Sequence, residues 1–224
     1  MPINSLPLEI SGWTLRYHLP KNPDSARVIL LIHGWTGDET VMWLFADKLP
    51  QNCALIAPRA PYPTKRGGYS WQPELRKDGW ATLEDLQPAA ESLLAMLAML
   101  ALQPAFAGIN FAAPLHLVGF SQGAAVASTL ALLYPQRVEK FALLAGFVPN
   151  GVSDLLDARP LQGKPVYIAH GSADNLVPIA RARQGIFLLE RAGAEVEYCE
   201  DETGHKLSAK CARKLGEFFD NTLG

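Results

Sequence analysis

Ser121 lies in the run Leu115–Ala124, LHLVGFSQGA, with Gly119 and Gly123 two residues to either side. A serine hydroxyl attacks a carbonyl carbon only when it projects clear of its backbone and a neighbouring base removes its proton. Glycines at these two positions permit the sharp strand-to-helix turn that achieves the first condition. Gly and Ser are common residues, so a G-x-S-x-G match arises by chance in roughly one chain in twelve of this length. The surroundings sharpen the signal: an aliphatic run leads in and a small-residue helical run, AAVASTLALL, leads out. A helix N-cap would use the same serine more plainly.

The base must be an imidazole, and the imidazole needs an acceptor that holds its tautomer. Where the nucleophile sits on such an elbow, the acid and the histidine follow it in chain order. Asp174 comes 53 residues after Ser121, in GSADNLVP directly behind the run VYIAH, and His205 a further 31 on, in DETGHK behind EVEYCE. Of the other histidines, His18 and His116 fall at the wrong places in their strands. His33 and His170 end strands before glycine but break the required order. Asp201 and Glu202 are rival acids that share His205's own loop. The candidate catalytic residues are therefore Ser121, Asp174 and His205.

Attack on an ester builds negative charge on oxygen, which two backbone N–H groups can hold. Gln122, next after the nucleophile, supplies one. His33-Gly34-Trp35-Thr36-Gly37 supplies the other, with Trp35 the first choice and Thr36 the second. Residues 60–80, rich in Pro, Gly and aromatics and without helical period, read as a lid or pocket loop. Tyr69 and Trp71 from that loop, Phe147 after a later strand, and Val177 beside the acid are the candidate pocket walls. Aromatics that merely pack the loop down would look the same.

Short β-rich runs at 27–33, 53–57, 115–120, 140–144, 166–170 and 195–200 alternate with helical patterns at 39–49, 82–102, 121–134, 178–192 and 206–222. This predicts right-handed βαβ crossovers, an α/β fold with a mostly parallel sheet and helices on both faces. The alternating run 13–19 predicts an antiparallel edge strand. Open sheets of this kind carry their sites beyond the strands' carboxyl ends, where all three candidates lie. No linker divides the chain, so one domain over 1–224 is expected. A net charge of −2 gives no basic footprint for nucleic acid. Leu93–Leu102, the longest apolar stretch, is about half a bilayer span, so no integral membrane segment is expected. Three cysteines without a C-x-x-C pair argue against a disulfide or zinc framework and for a reducing, cytoplasmic setting.

With these residues in hand, the chain resembles the carboxylesterase/phospholipase branch of the α/β-hydrolases, which includes acyl-protein thioesterase-like enzymes. HGWTGDE, APYP, GFSQGA, HGSADNLVP and GHKL stand in that family's order and spacing. The resemblance implies an α/β-hydrolase fold, Ser121 as nucleophile, Asp174 as acid, His205 as base, and Trp35 and Gln122 N–H groups as the oxyanion hole. It also implies a small-molecule ester substrate, no metal and no organic cofactor. Two departures bear on specificity. Trp35-Thr36 stands where the family commonly has Leu-Gly, and Gln72-Pro73-Glu74 follows Trp71 where an aromatic and an Asp are usual. Short- to medium-chain esters are the first substrate choice, with thioesters and lysophospholipids as alternatives, and a non-catalytic binding protein of the same fold is the distant one. Monomer and homodimer both fit.

Overall fold

The computed structural model describes residues 4–23, 26–75 and 80–220. Among these residues ten strands form: β1 (Leu6–Ile10), β2 (Trp13–His18), β3 (Val28–Ile32), β4 (Ala54–Pro58), β5 (Tyr62–Pro63), β6 (Tyr69–Ser70), β7 (Leu115–Phe120), β8 (Val138–Leu144), β9 (Pro165–Gly171) and β10 (Glu195–Asp201). The helices are α1 (Leu83–Leu100), α2 (Gln122–Leu133), α3 (Ser153–Leu156), α4 (Ile179–Arg191) and α5 (Ala209–Asp220). Eight strands build one sheet in the order β1-β2-β4-β3-β7-β8-β9-β10. From β4 onward in that order neighbours are parallel, while β1 and β2 are antiparallel. This is the α/β-hydrolase fold expected from the sequence.

The aliphatic runs become central strands because both faces are covered. Every residue of β3 and β4 is buried. One face packs against α1, α2 and α4, and the other against α5 and the 3-10 segment Val41–Lys48. Helix α1 presents Leu86, Ala89, Ala90, Leu93, Met96, Leu97 and Leu100 inward, a 3.6-residue stripe. Its start is fixed by a capping box in which Asp85 N–H donates to Thr82 Oγ1 and Thr82 N–H to Asp85 Oδ2. Helix α2 lies between α1 and the sheet and is buried from Gln122 to Leu132, which is why it is built of small residues. Among the described residues no helix is long and apolar enough to cross a membrane.

The structure corrects several expectations. Strand β2 is not the edge, because β1 pairs outside it. The helical pattern at 39–49 is a 3-10 segment over Val41–Lys48. The loop at 60–80 contains the β5–β6 hairpin, and its residues 76–79, like 221–222 of the last expected helix, lie outside the described residues. Most consequentially, Cys199 of β10 and Cys211 of α5 form a disulfide, their Cα atoms 5.7 Å apart. An odd count leaves room for one pair and one thiol, here the buried Cys53. No short motif marks the pair, because strand and helix meet only when α5 folds back on the sheet. The argument for a reducing setting from an absent disulfide loses its ground.

Candidate active site

The sheet reverses its direction of growth at β3: β4 joins on one side and β7 on the other. Such a switch point opens a crevice at the strands' carboxyl ends. His33–Gly37 leaves β3 there, and Ser121 leaves β7.

Ser121 has φ 54° and ψ −117°, a left-handed conformation that strains a non-glycine residue. Its N–H donates to Leu144 O across the sheet, and α2 begins one residue later. A Cβ on Gly123 would stand 2.0 Å from Ile32 O, so only glycine lets the elbow close onto β3. The same crowding sets the two loops together, since Gly34 packs directly against the Ser121 Cβ.

The free donors around this turn can be identified by elimination. Thr36 N–H donates to Tyr69 O at 2.9 Å and Gly37 N–H to Gly34 O at 3.0 Å. Among the described residues Trp35 and Gln122 N–H have no acceptor, and Gln122 opens a helix whose dipole is positive at that end. Of the two sequence-level choices beside Gln122, Thr36 is therefore occupied and Trp35 available.

The loop that carries these donors is braced from beneath. His33 Nε2 lies 3.0 Å from the Ala60 N–H and can only accept it, so Nδ1 bears the proton that reaches Gly34 O at 2.7 Å. The ring is held neutral, and burial lowers its pKa from the usual range. Trp71, only 2% exposed, donates from Nε1 to His33 O at 2.7 Å. The Gln122 side chain accepts from Trp71 N–H at 3.1 Å and meets Ser70 Oγ, joining the β5–β6 hairpin to the turn at Ser121. Tyr69 completes the seam through its carbonyl to Thr36 and its N–H to Gly37 O, while its hydroxyl accepts from Arg59, which pairs with Glu39.

Asp174 sits in the turn after β9, its carboxylate fully buried. Oδ1 accepts the N–H groups of Leu176 and Val177, each at 2.9 Å. Oδ2 lies 2.7 Å from His205 Nδ1. A carboxylate is acceptor only, so Nδ1 carries the proton and Nε2 keeps its lone pair. The His205 loop is pressed against the Asp174 loop: a Cβ on Gly171 would fall 2.2 Å from Thr203 O, and Ala173 N–H donates to Thr203 O. The imidazole, 17% exposed, rests on the Phe120 ring at 5.0 Å between centroids, beside Ser121 in sequence. Ser121 Oγ itself makes no hydrogen bond among the described residues.

The rival acids are otherwise engaged. The Asp201 carboxylate accepts Glu202 N–H within its own loop, and Glu202 is exposed. His170 lies behind the acid, its Nε2 2.7 Å from Val177 O and 3.5 Å from Asp174 Oδ2.

The four pocket residues are dispersed. Tyr69 and Trp71 brace the His33–Gly37 loop, and Val177 is buried, giving its N–H to Asp174. Phe147 is buried edge-on to Trp80 at 4.8 Å, with the Arg181 guanidinium over both rings. A cavity of about 510 Å³ against Tyr62, Trp71, Glu74 and Asp85 includes none of Ser121, Asp174 or His205. The supporting roles of His33, Trp71 and the Gln122 side chain were not read from sequence. The nearest signal is position: each lies next to, or in the loop facing, a residue already singled out.

A profile described as "Alpha/beta hydrolase family" matches residues 29–215. A probable inactive carboxylesterase of Oryza sativa subsp. japonica is 28% identical over 198 residues, which cover 81% of this chain and 79% of that protein. The carboxylesterase SOBER1 of Arabidopsis thaliana is 31% identical over 108 residues, 47% of each. Among solved structures, a carboxylesterase from Mesorhizobium loti superposes with a TM-score of 0.78 at 25% identity, over 97% of this chain and 99% of that one. The Bacillus cereus carboxylesterase gives 0.78 at 24% identity, over 92% of both.

Proposed function

Because this chain belongs to the alpha/beta hydrolase family and has carboxylesterases among its relatives, we propose that it hydrolyses short- to medium-chain carboxylic esters through Ser121, His205 and Asp174. The observation that carries this reading is the buried Asp174 carboxylate 2.7 Å from His205 Nδ1, which leaves Nε2 as a proton acceptor beside the Ser121 elbow. Trp35 and Gln122 N–H groups without acceptors favour it further.

In this mechanism His205 Nε2 takes the Ser121 hydroxyl proton as Oγ bonds to the ester carbonyl carbon. The carbonyl electron pair moves onto oxygen, where the Trp35 and Gln122 N–H groups and the α2 N-terminus stabilise it. The tetrahedral adduct collapses, the C–O bond to the alcohol breaks, and the imidazolium returns its proton to the leaving alkoxide. Water then attacks the acyl-Ser121 by the same route, and the acid is released. Asp174 stays ionised and stabilises the imidazolium. No step requires a metal or organic cofactor.

One relative is a probable inactive carboxylesterase, so catalysis is the point to test. The Ser121→Ala variant should lose several orders of magnitude in kcat on p-nitrophenyl butyrate, on the order of 10⁶ in the most complete precedents. A fluorophosphonate should label Ser121 in the wild type. Activity of the variant within tenfold of wild type, or no adduct at Ser121, rejects the proposal. In the absence of an adduct, a non-catalytic protein of this fold is favoured.

A further inference from the structure

The one disulfide of the described residues spans the loop that holds His205. Cys199 lies near the end of β10 and Cys211 in the first turn of α5, 12 positions later, with His205 midway between them. The two halves of this loop are held very differently. Up to Gly204 it is moored to the acid loop through Ser172 N–H to Asp201 O, Ala173 N–H to Thr203 O, and the close approach at Gly171. After His205, among the described residues, its backbone makes no such bond to the sheet. Lys206 N–H turns back to Gly204 O, and Ser208 accepts from Cys211 and Ala212 at the head of α5. The placement of this second half therefore rests on Leu207, which packs on the core, and on where α5 starts.

Two contacts hold that start at Cys211 itself, beside the Ser208 hydroxyl on the Asp201 carboxylate and Lys210 Nζ on Glu200 O. Tyr167 donates its hydroxyl to Cys211 O at 2.8 Å, and the Cys211 sulfur is bonded to Cys199 on β10. Both cysteines are buried in the core layer between α5 and the sheet. The remaining apolar anchors of α5, namely Leu215, Phe218 and Phe219, lie one to two turns further on. Cutting the covalent link leaves only non-covalent contacts at the head of the helix: the Tyr167 hydroxyl on Cys211 O, the Ser208 hydroxyl on the Asp201 carboxylate, Lys210 Nζ 3.3 Å from Glu200 O, and Leu207 packed on the core.

We propose that the Cys199–Cys211 disulfide is a positioning element for His205, and that its reduction by a dithiol lowers ester hydrolysis. The chemistry balances simply. A dithiol thiolate attacks one sulfur, its second thiol resolves the mixed disulfide, and two electrons and two protons pass to Cys199 and Cys211 as the reagent closes to a cyclic disulfide. The activity arm of this proposal rests on the ester-hydrolase reading above. The structural arm does not.

The test compares the air-oxidised protein, the same protein reduced with dithiothreitol, and the Cys199→Ala/Cys211→Ala double variant. Mass analysis and thiol titration define each state, and melting temperature confirms folding. Amide exchange over 202–208 and kcat and KM on p-nitrophenyl acetate are read in parallel. Misplacement of a catalytic group by about 1 Å costs on the order of 10²-fold. The reduced protein and the double variant should therefore lose about tenfold or more in kcat with KM little changed. Exchange should quicken over 202–208 while α2 stays protected. If reduction unfolds the whole chain, the double variant, measured well below its melting temperature, decides. Unchanged exchange over 202–208 together with kcat within twofold overturns the proposal, as does finding three thiols in the air-oxidised protein. If no state hydrolyses esters, the ester-hydrolase reading fails and exchange alone decides: faster exchange upholds the tether and unchanged exchange rejects it.

Discussion

The orientation of a single amide would report whether Asp174 works as the geometry implies. In an Asp174→Asn variant the side chain can place its carbonyl oxygen toward the Leu176 and Val177 N–H groups or toward His205. The Oδ1 position now accepts both N–H groups at 2.9 Å in a fully buried turn. Turning the amide would set an NH₂ against two N–H donors, leaving both unsatisfied at a cost of about 1–3 kcal/mol each. Even at the lower bound, about 2 kcal/mol, the flipped form is populated at only a few per cent by the ordinary Boltzmann conversion. The NH₂ therefore faces His205 Nδ1, which must become an acceptor, and the imidazole proton moves to Nε2. A protonated Nε2 cannot take the Ser121 proton. Loss of the carboxylate's charge removes stabilisation of the imidazolium as well. Together these place the loss of kcat near 10⁴-fold, the size found for such a substitution in a protease triad, or about 5 kcal/mol of barrier. The turn keeps its two backbone bonds, so the melting temperature should change little. Asp174→Ala, which strips both N–H groups of their acceptor, should lower stability as well as activity. Steady-state hydrolysis of p-nitrophenyl butyrate with active-site titration, beside a thermal melt, makes the comparison. An Asp174→Asn protein that melts normally and keeps kcat within tenfold of wild type would refute the assigned roles of Asp174 and His205.

Other consequences can be checked with the same two assays. Trp71→Phe removes the indole N–H from His33 O. It should cost about 1–3 kcal/mol for the buried carbonyl left unpaired, seen as a lower melting temperature, together with a drop in kcat as the Trp35 loop loosens. Stability should also fall in mild acid. Burial lowers His116 to a pKa of about 4, and His33 is lowered too. A histidine whose folded pKa lies below its unfolded value takes up its proton first in the unfolded chain. Its contribution is therefore intact above about pH 6.5 and is lost as pH falls toward 4, up to about 3 kcal/mol for His116. Denaturant titrations from pH 7 to pH 4 should show this slope, and His116→Gln should flatten it. An unchanged slope would count against the buried neutral ring.

The sequence alone determined the features that depend on neighbours along the chain. An all-aliphatic run such as Val28–Ile32 can only be satisfied in a strand covered on both faces, and the stripe from Leu86 to Leu100 only by a helix laid on that sheet. The G-x-S-x-G frame between strand and helix places Ser121 at a carboxyl end for the same local reason, and the order Ser121, Asp174, His205 follows from reading onward. What tertiary structure decided were matters of contact between segments that share no local pattern. Trp35 rather than Thr36 is left with an idle N–H because the β5–β6 hairpin spends the Thr36 donor on Tyr69. Tyr69 and Trp71 face inward as braces because His33 O and the Thr36 loop need partners that only this hairpin can reach. Cys199 and Cys211 are joined because α5 returns across β10, a meeting that no spacing of cysteines announces. Periodicity records which side of an element is buried. Hydrogen-bond donors and sulfur atoms are allotted in space, after the elements have packed.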